Sequence, residues 1–151
     1  LKGDPLQSYQ IQSFLRCGTG TDKPSLLDGL PKEFLLEWAA QHPTQAPAII
    51  ARTVTVMLAT PHGHELTTLV RAILDEYGDR EEVISALSSN IGTFISVGTA
   101  IPHFEAEKEF VSSLLSHAHE KVRIWASGYL SWLDQQIKRE RVDEEERDIP
   151  R

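Results

Sequence analysis

The chain has 151 residues, of which 40% are hydrophobic and 25% charged, so it can form a globular domain that buries its own core. Its only cysteine, Cys17, excludes an internal disulfide bond and a multi-cysteine zinc site. The net charge of −7 argues against nucleic acids and anionic membranes as partners, because proteins that bind them present a basic surface.

The start of the sequence predicts one helix followed by a loop. Asp4 and Pro5 are typical of a helix start, and the glycine-containing stretch 17–30 predicts a loop. The sequence shows no signal peptide and no apolar run of the ~20 residues that span a bilayer, so we expect a cytoplasmic location. Because the chain does not begin with Met, we expect it to be a piece of a longer protein.

Residues 31–58 predict the first pair of helices. Pro31 opens the first helix and Pro43 closes it. The second is predicted over 44–58, although the alternating β-branched run 53–56 is locally typical of a strand, because the run is short and its neighbours are helical. The side chains expected to face inward are Phe34, Leu35, Trp38, Ala39, Ile49, Ile50, Val54, Met57 and Leu58.

Two further pairs follow. A break over 61–64 precedes a helix over 65–77, which Gly78 ends, and a second helix extends to about Ser89. After the connection 90–100, Pro102 starts a helix that ends before a turn over 116–119. The inward positions expected in these helices include Leu114, Leu115, Val122, Ile124, Trp125, Ala126, Tyr129, Leu130, Leu133 and Ile137.

The last helix is then expected to run into solvent through the charged stretch 138–148 and to fray. The sequence therefore predicts an all-α chain of about seven helices. We divide it into an N-terminal helix and loop (1–30), helical repeats (31–137) and a charged helix end and tail (138–151).

Three helix pairs share one plan, with an inward β-branched residue early in each second helix. Ile49, Val83 and Val122 occupy that position at spacings within the range of two-helix repeats. The last pair is the most specific: its second helix has Val122, Arg123, Ala126 and Leu130 at the positions that these residue types hold in a HEAT repeat. The segment 31–137 therefore resembles a HEAT-like stack of antiparallel helix pairs, which implies an α-α superhelix.

A second resemblance covers about 80 residues. The series from Leu74 through Gly78 and Pro102 to Trp125 and Ala126, followed by the charged stretch, looks like the C-terminal helical end of large bacterial proteins. Those proteins carry helical repeats behind an effector or NTPase region, and some belong to the STAND-type sensors of antiviral defence. This resemblance implies a sensor role for the chain and an enzymatic domain upstream of it.

Histidines provide the candidate metal ligands. His62, His64 and Glu65 could supply three ligands, but the favoured interpretation of the same residues is a turn followed by the first turn of a helix. His117 and His119 repeat the spacing inside a turn that must connect two helices. We therefore expect no metal and no cofactor.

Trp132 and the loop containing Phe94, Ile95 and Val97 are the candidate interaction residues. Trp132 lies two residues after Leu130, off the apolar stripe, so it either anchors a partner or packs against a neighbouring element. The three loop residues are costly to leave in water, so they either contact a partner or pack on the helices.

The sequence thus predicts a non-catalytic module of a larger intracellular protein that binds a protein partner or another region of its parent chain. A phosphate-binding loop, a G-x-S-x-G motif and an H-E-x-x-H motif are all absent. The alternative is a C-terminal sensor or regulatory part of a bacterial NTPase-type defence protein. A stand-alone enzyme is the least favoured interpretation.

Overall fold

A computed structural model describes residues 26–91 and 98–149, and this part of the chain is mostly helical. It contains six α-helices and one two-stranded hairpin. The helices are α1 (Lys32–Gln41), α2 (Ala46–Thr53), α3 (Thr68–Tyr77), α4 (Glu81–Ile91), α5 (Ile101–Ser112) and α6 (Glu120–Arg147). The strands are β1 (Met57–Thr60) and β2 (Gly63–Leu66), and short 3₁₀ turns cover Leu26–Gly29 and Ser113–Ser116.

The core is mostly aliphatic and is shared by all six helices. α2 packs closely on α4, and α5 packs closely on α6. Asn90 fastens the C-terminal ends of α2 and α4 together, because its side-chain amide donates to the carbonyl oxygens of Ala51 (3.0 Å) and Val54 (2.7 Å). The largest fully buried side chains are Phe110, Leu35, Ile50, Ile73, Leu74, Leu87, Leu114 and Leu133.

The hairpin corrects the all-α prediction. The helix predicted over 44–58 ends at Thr53, and the one predicted from 65 begins at Thr68. Asp28 explains the first change: its carboxylate accepts from the backbone N–H and the hydroxyl of Thr55, both at 2.8 Å, which holds the chain extended. The β-branched alternation over 53–56 therefore continues into a strand.

The hairpin turns over residues 61 and 62. The antiparallel register pairs Met57 with Leu66 and Thr60 with Gly63. Gly63 has φ +126°, a backbone conformation that side chains disfavour, so glycine is required where the turn enters β2. The predicted break over 61–64 is therefore a strand-to-strand turn.

Gly78 ends α3 as predicted, but the reason is close packing. Its φ of −69° suits any residue. A Cβ there would lie 2.7 Å from Cγ2 of Val122 and closer still to the carbonyl oxygen of Leu74. The end of α3 and the start of α6 can approach this closely only because no side chain intervenes.

Several side chains predicted to face inward are exposed. Ile124 is 64% exposed, since it lies about 200° around α6 from both Val122 and Ala126, which are fully buried. Phe34, Leu58 and Leu115 are also exposed.

α6 itself continues without a break past residue 138 to Arg147. Among the described residues, no helix has both the length and the apolar character needed to cross a membrane.

Candidate aromatic interaction site

Three aromatic rings form a ladder along one side of α6. Trp125, Tyr129 and Trp132 follow one another at spacings of four and three residues, which brings their side chains to neighbouring positions on the helix. The ring centroids of Trp125 and Tyr129 are 5.3 Å apart, and those of Tyr129 and Trp132 are 5.4 Å apart, both stacked. Phe104 of α5 meets Trp132 edge-on at 6.0 Å. We call these four residues the aromatic flank.

A buried carboxylate holds the middle of the ladder. Glu107 of α5 is only 3% exposed, and its Oε2 accepts a hydrogen bond from the hydroxyl of Tyr129 at 2.8 Å. Its Oε1 lies 2.9 Å from Nε2 of His103, one helical turn earlier. At the end of the ladder formed by Trp125, the indole N–H donates to the hydroxyl of Ser88 at 2.5 Å.

The electrostatics of this network follow from burial. Burial raises the pKa of the Glu107 carboxyl, and the hydrogen bond from Tyr129 and the nearby His103 oppose that rise only in part. Burial and the adjacent Glu107 carboxylate together raise the pKa of the Tyr129 hydroxyl well above its ordinary value. Tyr129 therefore keeps its proton and acts as a hydrogen-bond donor, which fixes its ring in place.

Trp132 combines exposure with fixed orientation. It is 43% exposed, yet it contacts Tyr129 on one side and the edge of Phe104 on another. Trp132 therefore packs against a neighbouring element, which is one of the two alternatives raised by its sequence position, and it still presents surface to solvent. Its role as an anchor for a partner stays a prediction. Phe94, Ile95 and Val97, the other interaction candidates, lie outside the described residues.

The candidate metal ligands His62, His64 and Glu65 fall in the hairpin. His64 contacts Glu109 of α5: its backbone N–H donates to Oε2 at 2.6 Å, and its Nδ1 lies 3.2 Å from the same oxygen. Glu65 lies in β2, so the prediction that it lies in the first turn of a helix is wrong. Within residues 26–91 and 98–149, no group of three or more potential ligands could hold a metal ion.

His117 and His119 join α3 to the start of α6. Nε2 of His117 lies 2.8 Å from a carboxylate oxygen of Asp75, and Nε2 of His119 lies 2.8 Å from the Asp75 carbonyl oxygen. The backbone N–H of His119 donates to Nδ1 of His117 at 3.1 Å. These contacts give His117 and His119 a structural role in joining α3 to α6, which accounts for their His-x-His spacing.

Glu107 and His103 are the site residues that sequence reasoning missed. Their spacing of four residues on one helix was a usable signal, as was the Trp-x-x-x-Tyr-x-x-Trp pattern of α6. The acidic run Glu105, Glu107 and Glu109 obscured it, because such a run is typical of a solvated helix face.

Comparison of the chain with protein-family models, curated proteins and solved structures finds no match. The geometry of the aromatic flank is therefore the basis on which a function is proposed below.

Proposed function

We propose that this chain is a protein-binding module whose partner docks on the aromatic flank, with Trp132 as the central anchor. The observation that carries the proposal is the pairing of 43% exposure with an orientation fixed by Tyr129 and Phe104. Tryptophan is enriched among residues that dominate binding energy. A ring that is already ordered loses little conformational entropy when a partner covers it, which leaves more of the contact energy for affinity.

The polar network beneath the ladder supports this role. Because Oε2 of Glu107 accepts from Tyr129 below the exposed surface, the ladder cannot rotate without leaving that buried oxygen without its hydrogen-bond donor. The exposed part of Trp132 is thus presented by a rigid helix pair, the kind of element on which a binding surface is most precisely held.

We also propose that the helices stack as HEAT-like pairs. What supports this is the side-by-side packing of α2 and α4, the second helices of the first two predicted units, with their C-terminal ends together. Neighbouring units of a stacked repeat pack in this manner. The β1–β2 hairpin is an insertion relative to a plain series of helix pairs.

The test begins by capturing a partner on the immobilised chain from an extract of cells that express it. The partner is identified by mass spectrometry, purified and titrated calorimetrically. Trp132→Ala should weaken binding by about 30-fold or more, the loss of a hot-spot residue. Ile124→Ala is the matched control, since it removes another exposed apolar side chain from α6, and it should change the dissociation constant less than about twofold.

Unchanged affinity of Trp132→Ala for the purified partner would reject the proposal, provided that the variant unfolds at nearly the wild-type temperature. The identity of the partner separates the two predicted functions. Another region of the parent chain or a cellular protein favours a general interaction module, and a foreign trigger protein favours the sensor alternative.

A further inference from the structure

Three large apolar side chains are exposed where the described part of the chain begins. Leu26 is 60% exposed, Leu30 41% and Phe34 55%, and we call these three residues the N-terminal patch. They are three of the nine large apolar side chains that are exposed among the described residues, and they lie within nine consecutive positions. Apolar side chains that cluster on a surface in this way mark a place where another element docks.

The packing of the described residues leaves this patch open. The backbone N–H of Leu30 donates to the carbonyl oxygen of Leu27 at 3.1 Å, which turns the chain just before α1. Leu27 is buried, whereas its neighbour Leu26 is exposed. On α1 the buried side chain is Leu35, which lies about 100° around the helix from Phe34. The core therefore takes up the residues next to the patch and not the patch itself.

The 25 residues that directly precede the patch are the candidate to cover it. They lie outside the described residues, and their sequence predicts a helix that begins at Pro5 and a loop from residue 17. Within the predicted helix, Ile11, Phe14 and Leu15 have the i, i+3 and i+4 spacing of an apolar helix face. Such a face needs an apolar surface of another element to pack on.

The length of the connection suits a return of this helix onto the patch. Ten residues separate Leu15 from Leu26, and ten residues span at most about 35 Å when extended. The predicted helix of about twelve residues is about 18 Å long, so the connection can place it beside α1 in either direction. A tether this short also holds the helix at an effective concentration in the millimolar range, which favours it over a free partner.

Charge favours this segment over a second copy of the chain. Residues 1–25 carry three basic and two acidic residues, which leaves twelve basic against twenty acidic residues in the remainder. Around Phe34, the exposed charged residues of α1 are Lys32, Glu33 and Glu37. A weakly basic segment is therefore attracted to an acidic body, whereas a second copy brings one net charge of −7 against another.

We propose that residues 1–25 fold back on the N-terminal patch, so that the face formed by Ile11, Phe14 and Leu15 contacts Leu30 and Phe34. The contact removes apolar groups of both surfaces from water. It also accounts for the exposure of Phe34 among the described residues, because this side chain then packs on the returning segment. No residue of the aromatic flank takes part in the contact.

A nitroxide spin label in the full chain tests the proposal, attached to Ser8→Cys in a chain that also carries Cys17→Ser. The label broadens the NMR signals of nearby nuclei, and Phe34 should broaden strongly. Phe14→Ser removes the aromatic ring of the predicted face without changing the tether, so it should reduce this broadening several-fold. Tyr9→Ser is the matched control, because it removes a ring of the same segment that lies off this face, and it should leave the broadening unchanged.

The same label separates the other possible arrangements. Broadening of Phe34 that is unchanged by Phe14→Ser, or broadening that is strongest at Trp132, would overturn the proposal. A mixture of spin-labelled chain and isotope-enriched unlabelled chain detects contacts between copies. Broadening of Phe34 in that mixture would identify a second copy as the occupant and would also overturn the proposal.

A double-mutant cycle gives a second readout. If Phe14 and Phe34 are in contact, the effects of Phe14→Ala and Phe34→Ala on the unfolding equilibrium constant should deviate from independence by at least about twofold. Phe14→Ala and Ile124→Ala should act independently, because Ile124 is exposed on α6, away from the patch. Independent effects at Phe14 and Phe34 would contradict the docking.

Discussion

α5 presents two carboxylates to opposite sides of the molecule. Glu107 and Glu109 lie two residues apart, so they project about 200° from each other around the helix. Each contacts a histidine, at 2.9 Å for Glu107 and 3.2 Å for Glu109. Glu107 is buried under the aromatic flank, whereas Glu109 is exposed beside the hairpin.

The two carboxyl groups differ in what their surroundings do to the charged form. Burial raises the pKa of Glu107, and the backbone N–H of His64 lowers the pKa of Glu109. On the aromatic side of α5, burying Glu107 costs stability but fixes the ladder in one orientation. On the hairpin side, the exposed carboxylate of Glu109 accepts the outward backbone N–H of β2. Similar histidine–carboxylate contacts can therefore either fix a buried ladder or join two exposed elements, depending on burial.

Removing the carboxylates one at a time should separate the two sides most strongly. Glu107→Ala leaves the Tyr129 hydroxyl and His103 without their acceptor and opens a cavity, so it should lower the free energy of unfolding by about 2–4 kcal/mol. Glu109→Ala should lower the midpoint of urea unfolding much less than Glu107→Ala, because its side chain is exposed. Equal shifts of the midpoint in the two variants would remove the distinction.

Alanine substitutions at one glycine in the hairpin and one in α6 should give the next largest difference in stability. Gly63→Ala forces a side chain into φ +126° and places its Cβ 2.6 Å from Oε2 of Glu109, so it should cost about 1–3 kcal/mol. Gly128→Ala in α6 meets open space and should stabilise the chain by up to ~1 kcal/mol through helix propensity. Thermal unfolding measures both, and a stabilising Gly63→Ala would contradict the hairpin geometry.

Tyr129→Phe should have a smaller effect on the aromatic side alone. It keeps the stacked ring and removes the hydroxyl that donates to Glu107, which should lower the free energy of unfolding by about 1–2 kcal/mol. Because that hydrogen bond lowers the pKa of Glu107, its loss should raise the pKa further. Carbon-detected NMR of the Glu107 carboxyl measures the pKa, and a decrease would contradict the assigned bond.

The two carboxyls should also give opposite pH dependences of stability. The raised pKa of Glu107 means that its stabilising contribution is fully present below the ordinary value of 4.5 and is lost as pH rises through the folded value. The lowered pKa of Glu109 means that its contribution is present above 4.5 and is lost as pH falls through the folded value. Denaturant unfolding from about pH 3 to about pH 7 covers both windows.

Glutamine variants isolate each contribution. Relative to wild type, Glu107→Gln should gain stability as pH rises, and Glu109→Gln should gain stability as pH falls, because neither amide ionises in this range. Parallel slopes for the two variants would show that the carboxyls share one environment.

The sequence predicted the helices better than the hairpin. Proline starts, glycine ends and apolar periodicity are local signals, and they placed the helices over most of their length. The hairpin depends on Asp28 reaching Thr55, a contact across 27 positions that no local pattern contains. Its turn also lacks the Asn-Gly or Asp-Gly signal of a two-residue hairpin loop.

The candidate site was predictable only in part. The position of Trp132 off the buried stripe follows from helical periodicity, whereas its role as an anchor stays a prediction. The burial of Glu107 depends on how α6 crosses α5, so the acidic run gave no sign that one of its members lies inside. Ile124 shows the opposite failure, since its apolar residue type predicts an inward side chain although its helical position faces solvent.

The central claim, that a partner covers the aromatic flank, can be tested by the indole N–H signals of the three tryptophans in a ¹⁵N NMR spectrum. Each signal is assigned by a Trp→Phe variant and followed as the purified partner is added. Trp132 should shift or broaden most, and Trp38, which packs on the core from α1, should stay in place. A partner that binds while Trp132 stays unchanged would contradict the account.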